Sequence, residues 1–417
     1  MKLSAFGEKF AAESGIVGLM DDLSSALNEN PEMLFLGGGN PGRIPEMETI
    51  FQQRMNEIAN DSQKLHSMLG VYQSTKGEKS FRQAVASLLS KEFGWKLSEH
   101  NIAISNGSQA AFFILFNMLG GPTKHGGHQS IHFPVAPEYI GYSDVGFNEH
   151  LFSATRPDIE HLDDHLFKYR VDFSKLALND VGALCVSRPT NPTGNVLTDN
   201  EIQHLDALAQ AQNIPLIIDG AYGLPFPGIN FTDATPHWNE NTILLLSLSK
   251  LGLPGVRTGI IVANEETIRA YSNAATIANL ACCNLGPSLS KEWFQNGEIL
   301  RMSQQYVKPF YQHRAALAVT LFQQALGELP YHIHKPEGAI FLWLWFKDLP
   351  ISSQALYERL KARGVLVIPG QNFFPGIEPG WQHTQECIRV SYAQPESVVQ
   401  QGIQIIAEEV TKAYEQA

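Results

Sequence analysis

Cysteine is scarce in this chain: 417 residues hold four, at positions 185, 282, 283 and 387. They are unevenly spaced and mostly set in apolar sequence, which argues against a disulfide framework and suits a reducing cytoplasm. Adjacent Cys282 and Cys283 have no second pair at metal-ligand spacing. They read as buried small apolar residues, and no metal site is expected. Positive charge is also short. Thirty Lys and Arg stand against 42 Asp and Glu, a formal net charge of −12, with no basic run. Nucleic-acid and acidic-membrane partners are therefore not expected. No apolar run reaches the roughly 18 residues that cross a bilayer, and the first ten residues carry an acid and no long apolar core. The reading is of a protein without membrane span or signal peptide. Repeats and low-complexity tracts are missing. So is a Gly-x-Gly-x-x-Gly after an early strand, which makes a nicotinamide-dependent dehydrogenase remote.

What is present is a globular composition, 44% apolar and 17% charged. The length points to one large and one smaller domain. Helices are expected at 81–93, 110–119, 301–326, 353–363 and 395–414 from their apolar spacing. Short apolar runs at 101–105, 130–133, 181–186, 216–219, 243–246 and 259–263 read as strands. Later strands are expected at 338–346, 365–370 and 388–392. Strands alternating with helices imply a mainly parallel sheet wrapped by helices, and ligands on such sheets gather at strand carboxyl ends. Gly121 to His128 is loop-like, and its two histidines read as solvated.

Lys250 stands at one such end. It follows the apolar run Ile243 to Leu246 and precedes a glycine-rich turn ending in Arg257. Desolvation and a nearby cation lower a lysine pKa, and a neutral amine can form a Schiff base with an aldehyde. Ser247, Ser249 and Arg257 could hold a phosphate. An aldehyde and a phosphate on one small molecule describe pyridoxal phosphate. A surface lysine is the plain alternative. Asp219 ends the strand Leu216 to Asp219, with Tyr222 three residues on. It could sit beside a pyridine nitrogen while Tyr222 bonds the ring hydroxyl, although strand-end aspartates also form turns. Asn191 lies between Pro189 and Pro192, in a stiff turn that aims its side chain. Gly107, Ser108 and Gln109 join a strand to a helix, where backbone amides favour an anion; a simple N-cap is the other reading. Arg389 sits in an apolar strand, as a structural ion pair or as a fork for a carboxylate.

Taken in order, Asn191-Pro192-Thr193-Gly194, Asp219 with Tyr222, Ser247 to Lys250 with Arg257, and Arg389 resemble the class I/II, fold type I PLP-dependent aminotransferases. The resemblance covers nearly the whole chain. The segments 36–41, 136–142 and 335–346 resemble the branch that moves an amino group from valine to pyruvate. It implies an α/β fold with a mainly parallel seven-stranded sheet in a large domain and a smaller α+β domain. The corresponding division is an N-terminal arm at 1–44 packing with the small domain, a PLP-binding domain at 45–300 and a small domain at 301–417.

The resemblance also assigns roles. Lys250 carries the cofactor, with Asp219 and Tyr222 at its ring, Tyr139 stacked on its face, and Gly107, Ser108, Gln109, Ser247, Ser249 and Arg257 at its phosphate. Asn191 serves cofactor and substrate, and Arg389 with Gly38 in a glycine-rich lip takes the substrate carboxylate. Tyr72 matches a position that reaches the partner's phosphate, which implies a homodimer, although Ser74-Thr75-Lys76 departs from the family's usual turn there. Phe341, Trp343 and Trp345 alternate on one strand, as an apolar substrate wall or as domain core. The expected reaction is ping-pong, between an apolar L-amino acid and a 2-oxo acid. A β-lyase or a differently specific aminotransferase would look similar. A non-catalytic effector-binding module fits less well, since Lys250 is intact and no DNA-binding region is present.

Overall fold

The computed structural model describes residues 1–12 and 15–416. Helix α1 (Ala5–Ala11) is capped by Ser4, and α2 (Gly15–Glu29) leads to β1 (Leu34–Phe35). Helix α3 (Pro45–Ala59) opens on a proline, whose missing N–H would have been unpaired in a first turn. Asp61 and Glu78 cap α4 (Ser62–Leu69) and α5 (Lys79–Phe93) by accepting first-turn N–H groups. Strand β2 (Ile102–Ser105) runs into α6 (Ser108–Leu119), and β3 (Gly121–Pro122) forms a short hairpin with β4 (His128–Phe133). Strands β5 (Phe152–Ala154), β6 (Asp158–His161), β7 (Leu166–Arg170) and β8 (Val181–Ser187) precede α7 (Asp199–Ala211), which opens on a Thr198–Glu201 capping box. Next come β9 (Leu216–Asp219), β10 (Thr242–Ser247) and β11 (Gly259–Val262). Helices α8 (Glu265–Asn279), α9 (Leu285–Gln295), α10 (Glu298–Met302) and α11 (Lys308–Leu326) follow. The chain ends with β12 (Tyr331–His334), β13 (Phe341–Phe346), α12 (Ser353–Ala362), β14 (Val365–Leu366), β15 (Ile368–Pro369), β16 (Cys387–Ser391) and α13 (Glu396–Glu415).

The main sheet runs β2-β11-β10-β9-β8-β4-β3, with β5 also paired to β4. Strands β10, β9, β8 and β4 are parallel, and β11 is antiparallel to both its neighbours. Both faces are covered. Ile218, Leu244 and Leu246 pack into one core and Ile217, Ile243 and Leu245 into another, so the strands read as continuous apolar runs. Parallel pairing brings the carboxyl ends of β8, β9 and β10 side by side, which sets Ser187, Asp219 and Ser247 at one edge of the sheet.

A second sheet, β15-β16-β13-β12-β7-β6, carries Arg389 on an interior strand between β13 and β15. The sequence reading confined the small domain to residues after 301. Strands β6 and β7, from inside 45–300, nevertheless join this sheet, because β7 pairs in parallel with β12. Around the N-terminus, Asp22 of α2 accepts hydrogen bonds from Tyr357 and Lys361 of α12, and β1 pairs with β14. Helix α1 lies elsewhere, with Phe10 against Phe113 of α6 at a 5.6 Å ring separation.

The structure refines three points of the sequence reading. The helix expected over 301–326 runs unbroken from α10 into α11, with a π turn at Ser303–Val307 just before Pro309, which has no N–H to continue the regular ladder. Cys282 is half-buried and Cys283 exposed, because Leu280 takes φ 59° and turns the chain outward after α8. Trp343 and Trp345 belong to the small-domain core: their indole N–H groups donate to the Tyr169 hydroxyl and the Glu386 carboxylate. Among the described residues, no helix is long and apolar enough to cross a membrane, and no cluster of His, Cys, Asp or Glu could hold a metal ion.

Candidate active site

A cavity of about 360 Å³ opens where the two sheets meet. Lys250 lies in the turn after β10. Its Nζ donates to the carbonyl of Gly39 and sits 5.2 Å from the Tyr222 ring centre. Burial lowers the Lys250 pKa to about 8, aided by the positive charges of Arg389 and Arg257 and opposed by Asp219. Lys250 therefore holds a larger share of neutral, nucleophilic amine near neutral pH than an ordinary lysine.

Asp219 ends β9 and faces the same space. Tyr142 donates to its Oδ2 at 2.7 Å and the Ala221 N–H to its Oδ1 at 2.9 Å. Burial outweighs those two bonds and the charge of Lys250, so the Asp219 pKa lies above the ordinary aspartate value. The result is an anchored carboxylate aimed into a largely apolar cavity, suited to a cationic heterocycle.

The opposite end is built for an anion. Gly107 precedes α6 at φ 88°, with no side-chain cap. A Cβ there would meet the Arg257 guanidinium at 2.3 Å, so only glycine lets Arg257 close over the helix N-terminus. Ser108, Ser247, Ser249 and Arg257 line this end. Gln109 is partly committed: its amide N–H donates to the Gly141 carbonyl at 2.8 Å, and its Oε1 is buried without a partner. That bond holds the 139–142 turn on α6. Gly141 in turn leaves room for the Tyr139 ring, which a Cβ would meet at 2.3 Å.

Arg389 projects from β16 between the rings of Phe341 and Phe373, at 4.0 and 5.1 Å. Nη1 donates to Asn191 Oδ1 at 2.8 Å and Nη2 to the Gly37 carbonyl at 2.7 Å. Among the described residues it forms no ion pair, and its buried Nε–H has no partner. Burial lowers its pKa to about 10, which still leaves it charged at neutral pH. A buried cation without a counter-ion is costly unless an anionic ligand completes it. No structural ion pair holds Arg389 among the described residues. Asn191 orients the fork with its carbonyl and keeps its amide donors for another acceptor.

Lys250, Asp219, Tyr222, Tyr139, Asn191, Ser108, Gln109, Ser247, Ser249, Arg257, Arg389 and Gly38 all line this one cavity, with Gly107 just behind. Tyr72 does not reach it and is 85% exposed. Sequence reasoning missed Met20 and Leu23 of α2, together with Phe35, Phe112 and Ile140, which form the apolar wall. It also missed Tyr142 and Ser187. Their only local signal is a polar group in an apolar run, because the contacts that matter come from distant parts of the chain. The carbonyls of the glycine-rich lip were missed as well: Gly37 and Gly39 each accept from a site cation.

A lysine amine, a buried carboxylate, an anion cup and an arginine fork converge at the strand ends of an α/β sheet. This constellation can take an anionic group at the Gly107–Arg257 end, a cationic group beside Asp219 and a carboxylate at Arg389, as an enzyme site at the strand ends of such a sheet would. The class I and II aminotransferase family model matches residues 46–406, and the chain belongs to that family, which uses pyridoxal phosphate. Valine–pyruvate aminotransferase of Escherichia coli (strain K12) is 48% identical over 415 residues, 99% of each chain. The crystal structure of valine–pyruvate aminotransferase from Salmonella typhimurium LT2 matches with a TM-score of 0.89 at 47% identity, covering 97% of this chain and all of the other. A solved chain from Psychrobacter arcticum 273-4 gives 0.97 at 46% identity over the full length of both. The architecture is that of a fold type I aminotransferase.

Proposed function

We propose that this chain binds pyridoxal phosphate on Lys250 and transfers an amino group from L-valine to pyruvate, giving 3-methyl-2-oxobutanoate and L-alanine. The 48% likeness to a valine–pyruvate aminotransferase over the full chain carries the reading. The site residues fit the cofactor: the Gly107–Arg257 cup suits its phosphate, Asp219 its ring nitrogen, Tyr222 and Asn191 its ring hydroxyl, and Tyr139 its face. Bound pyridoxal phosphate would supply an aldehyde and an electron-accepting ring.

The chain's own residues do the rest. Arg389 binds the substrate carboxylate and, with Asn191, orients the α-carbon hydrogen toward Lys250. The Lys250 amine takes that proton and returns it later in the half-reaction. Asp219, held by Tyr142, stays anionic and stabilises positive charge at the ring end. Met20, Leu23, Phe35 and Ile140 exclude water and offer an apolar surface that favours valine and alanine over acidic side chains. An apolar pocket separates neighbours by only about 1–3 kcal/mol per methylene, so related branched or small amino acids should also react.

We read residues 1–44 as an arm, 45–300 as the large domain and 301–417 as the small one, with β6 and β7 lent to the small-domain sheet. The protein works as a homodimer in this reading. Leu69, Val71, Tyr72, Ile277 and Leu280 expose large apolar surfaces. The Asn284 amide donates to the Ser67 carbonyl at 3.0 Å, which ties the two exposed groups together. Tyr72 would then serve the partner's phosphate end. The unpaired thiols suit the cytoplasm. A donor–acceptor screen with products identified by mass tests the reaction: valine with pyruvate should rank at or near the top. Strong preference for aspartate or aromatic donors would overturn the substrate reading.

A further inference from the structure

Two carboxyl groups are buried at the ring end of the cavity, and the chemistry above uses one. Asp219 is 7% exposed and lines the cavity; Glu138 is 0% exposed and lies behind it. Ser187 links them. Its N–H donates to Glu138 Oε1 at 2.8 Å and its hydroxyl bonds Oε2, while Ser187 pairs with Asp219 in the β8–β9 register. The charge of Asp219 acts on Glu138, and two carboxylates coupled in an apolar setting resist ionising together.

Their surroundings decide which keeps a proton. Asp219 receives the Tyr142 hydroxyl and the Ala221 N–H, and feels the positive charge of Lys250. Glu138 has no ion pair among the described residues. Its partners are Ser187 and, at 3.4 Å, the N–H of Tyr139. We propose that Glu138 is an uncharged, protonated positioning residue that fixes Ser187 and Tyr139 at the cavity floor and leaves Asp219 the sole anion at the ring end. Burial pushes the Glu138 carboxyl up to about 8; the Ser187 bonds oppose this and the Asp219 charge adds to it. Ser187 donates twice, its N–H to Oε1 and its hydroxyl to Oε2, so both carboxyl oxygens are tied to the end of β8. The backbone fixes the residue as well, since the Glu138 N–H donates to the Phe373 carbonyl at 2.8 Å. A charged Glu138 would instead raise the proton affinity of Asp219 and remove the anion the ring needs.

The inference rests on the cofactor reading, and its test separates the two. Infrared difference spectra of wild type against Glu138→Gln, recorded at pH 7 with and without pyridoxal phosphate, should contain a protonated carboxylic acid C=O band that shifts in D2O. Glu138→Gln keeps the neutral hydrogen-bonding shape, so the pH midpoint of the bound cofactor's absorbance should move by less than about 0.3 unit. An ionised Glu138 would give no acid band and a midpoint shift of about one unit or more in the variant; that result overturns the proposal. Glu138→Ala should weaken cofactor binding about tenfold and Gln should restore it; failure of Gln to do so also counts against it. Should the alanine variant not fold, the infrared band and the Gln titration still decide. Protein that never binds the cofactor would defeat the functional reading and leave the infrared result standing.

Discussion

Replacing Arg389 by lysine isolates the fork from the charge. The guanidinium already spends one Nη1 and one Nη2 hydrogen on Asn191 and Gly37, and its Nε–H is unpaired. It lies between the Phe341 and Phe373 rings, 4.0 and 5.1 Å from their centres. A carboxylate can therefore be met by two further N–H groups in a fixed plane. Lysine keeps the positive charge but offers a point donor that neither stacks nor forks. The expected loss is about one charge-assisted hydrogen bond, on the order of 1.5–3 kcal/mol. At about 1.4 kcal/mol per tenfold, that is roughly a 10- to 150-fold rise in KM. The effect should fall on both valine and pyruvate, because both present a carboxylate, and kcat should change less. Steady-state kinetics on each substrate measure it, with an amine lacking the carboxylate as a control whose slow half-reaction should be unaffected. Changes below twofold in both KM values would refute the assignment and return Arg389 to a structural role.

Other expectations follow from single contacts. Tyr142→Phe removes a 2.7 Å bond to Asp219 and should raise the dissociation constant for pyridoxal phosphate about tenfold, measured by equilibrium dialysis; a change under twofold would count against Tyr142 as the support of Asp219. The Lys250 pKa is lowered, so in cofactor-free protein its reaction with an amine-directed reagent should rise with pH and level off above about 8. A midpoint near 10.5, where an ordinary lysine titrates, would show that the cavity does not desolvate it. Lys168 and Glu337 form an ion pair with side chains only 4% and 5% exposed, and Lys168 also donates to the Val196 carbonyl beside the Asn191 turn. Lys168→Met leaves the carboxylate with the Val196 N–H at 3.1 Å and, as its remaining cation among the described residues, Lys335 at 3.7 Å. It should destabilise by about 3–5 kcal/mol in denaturant unfolding, and adding Glu337→Leu should recover part of that loss. Equal or greater loss in the double variant would contradict it.

How much was legible depended on where the information sits in the chain. Lys250, Asp219 and Asn191 stand out because a reactive or polar side chain ends an apolar run or a stiff turn, and parallel strands bring such ends together. Arg389 was visible as a cation in an apolar strand, and the fold adds that no carboxylate among the described residues pairs with it while Asn191 and Gly37 accept its N–H groups. Met20, Leu23 and Phe35 were not legible. Nothing local distinguishes an apolar residue that faces a cavity from one that faces a core. Strands β6 and β7 were missed because β6 is short, largely exposed and polar, and their sheet is completed by β12 much later in the chain. Trp343 and Trp345 fit a wall or a domain core in one dimension, and the fold places them in the core, since their N–H groups find partners inside the small domain.

The central claim is that the amine of Lys250 is the covalent attachment point for pyridoxal phosphate. Borohydride reduction of the cofactor-loaded enzyme, followed by peptide mapping, tests it most directly. One stoichiometric label is expected on the peptide holding Ser247 to Arg257, lost in Lys250→Ala. A label on another lysine, or protein that takes up no label when the cofactor is supplied, would contradict it.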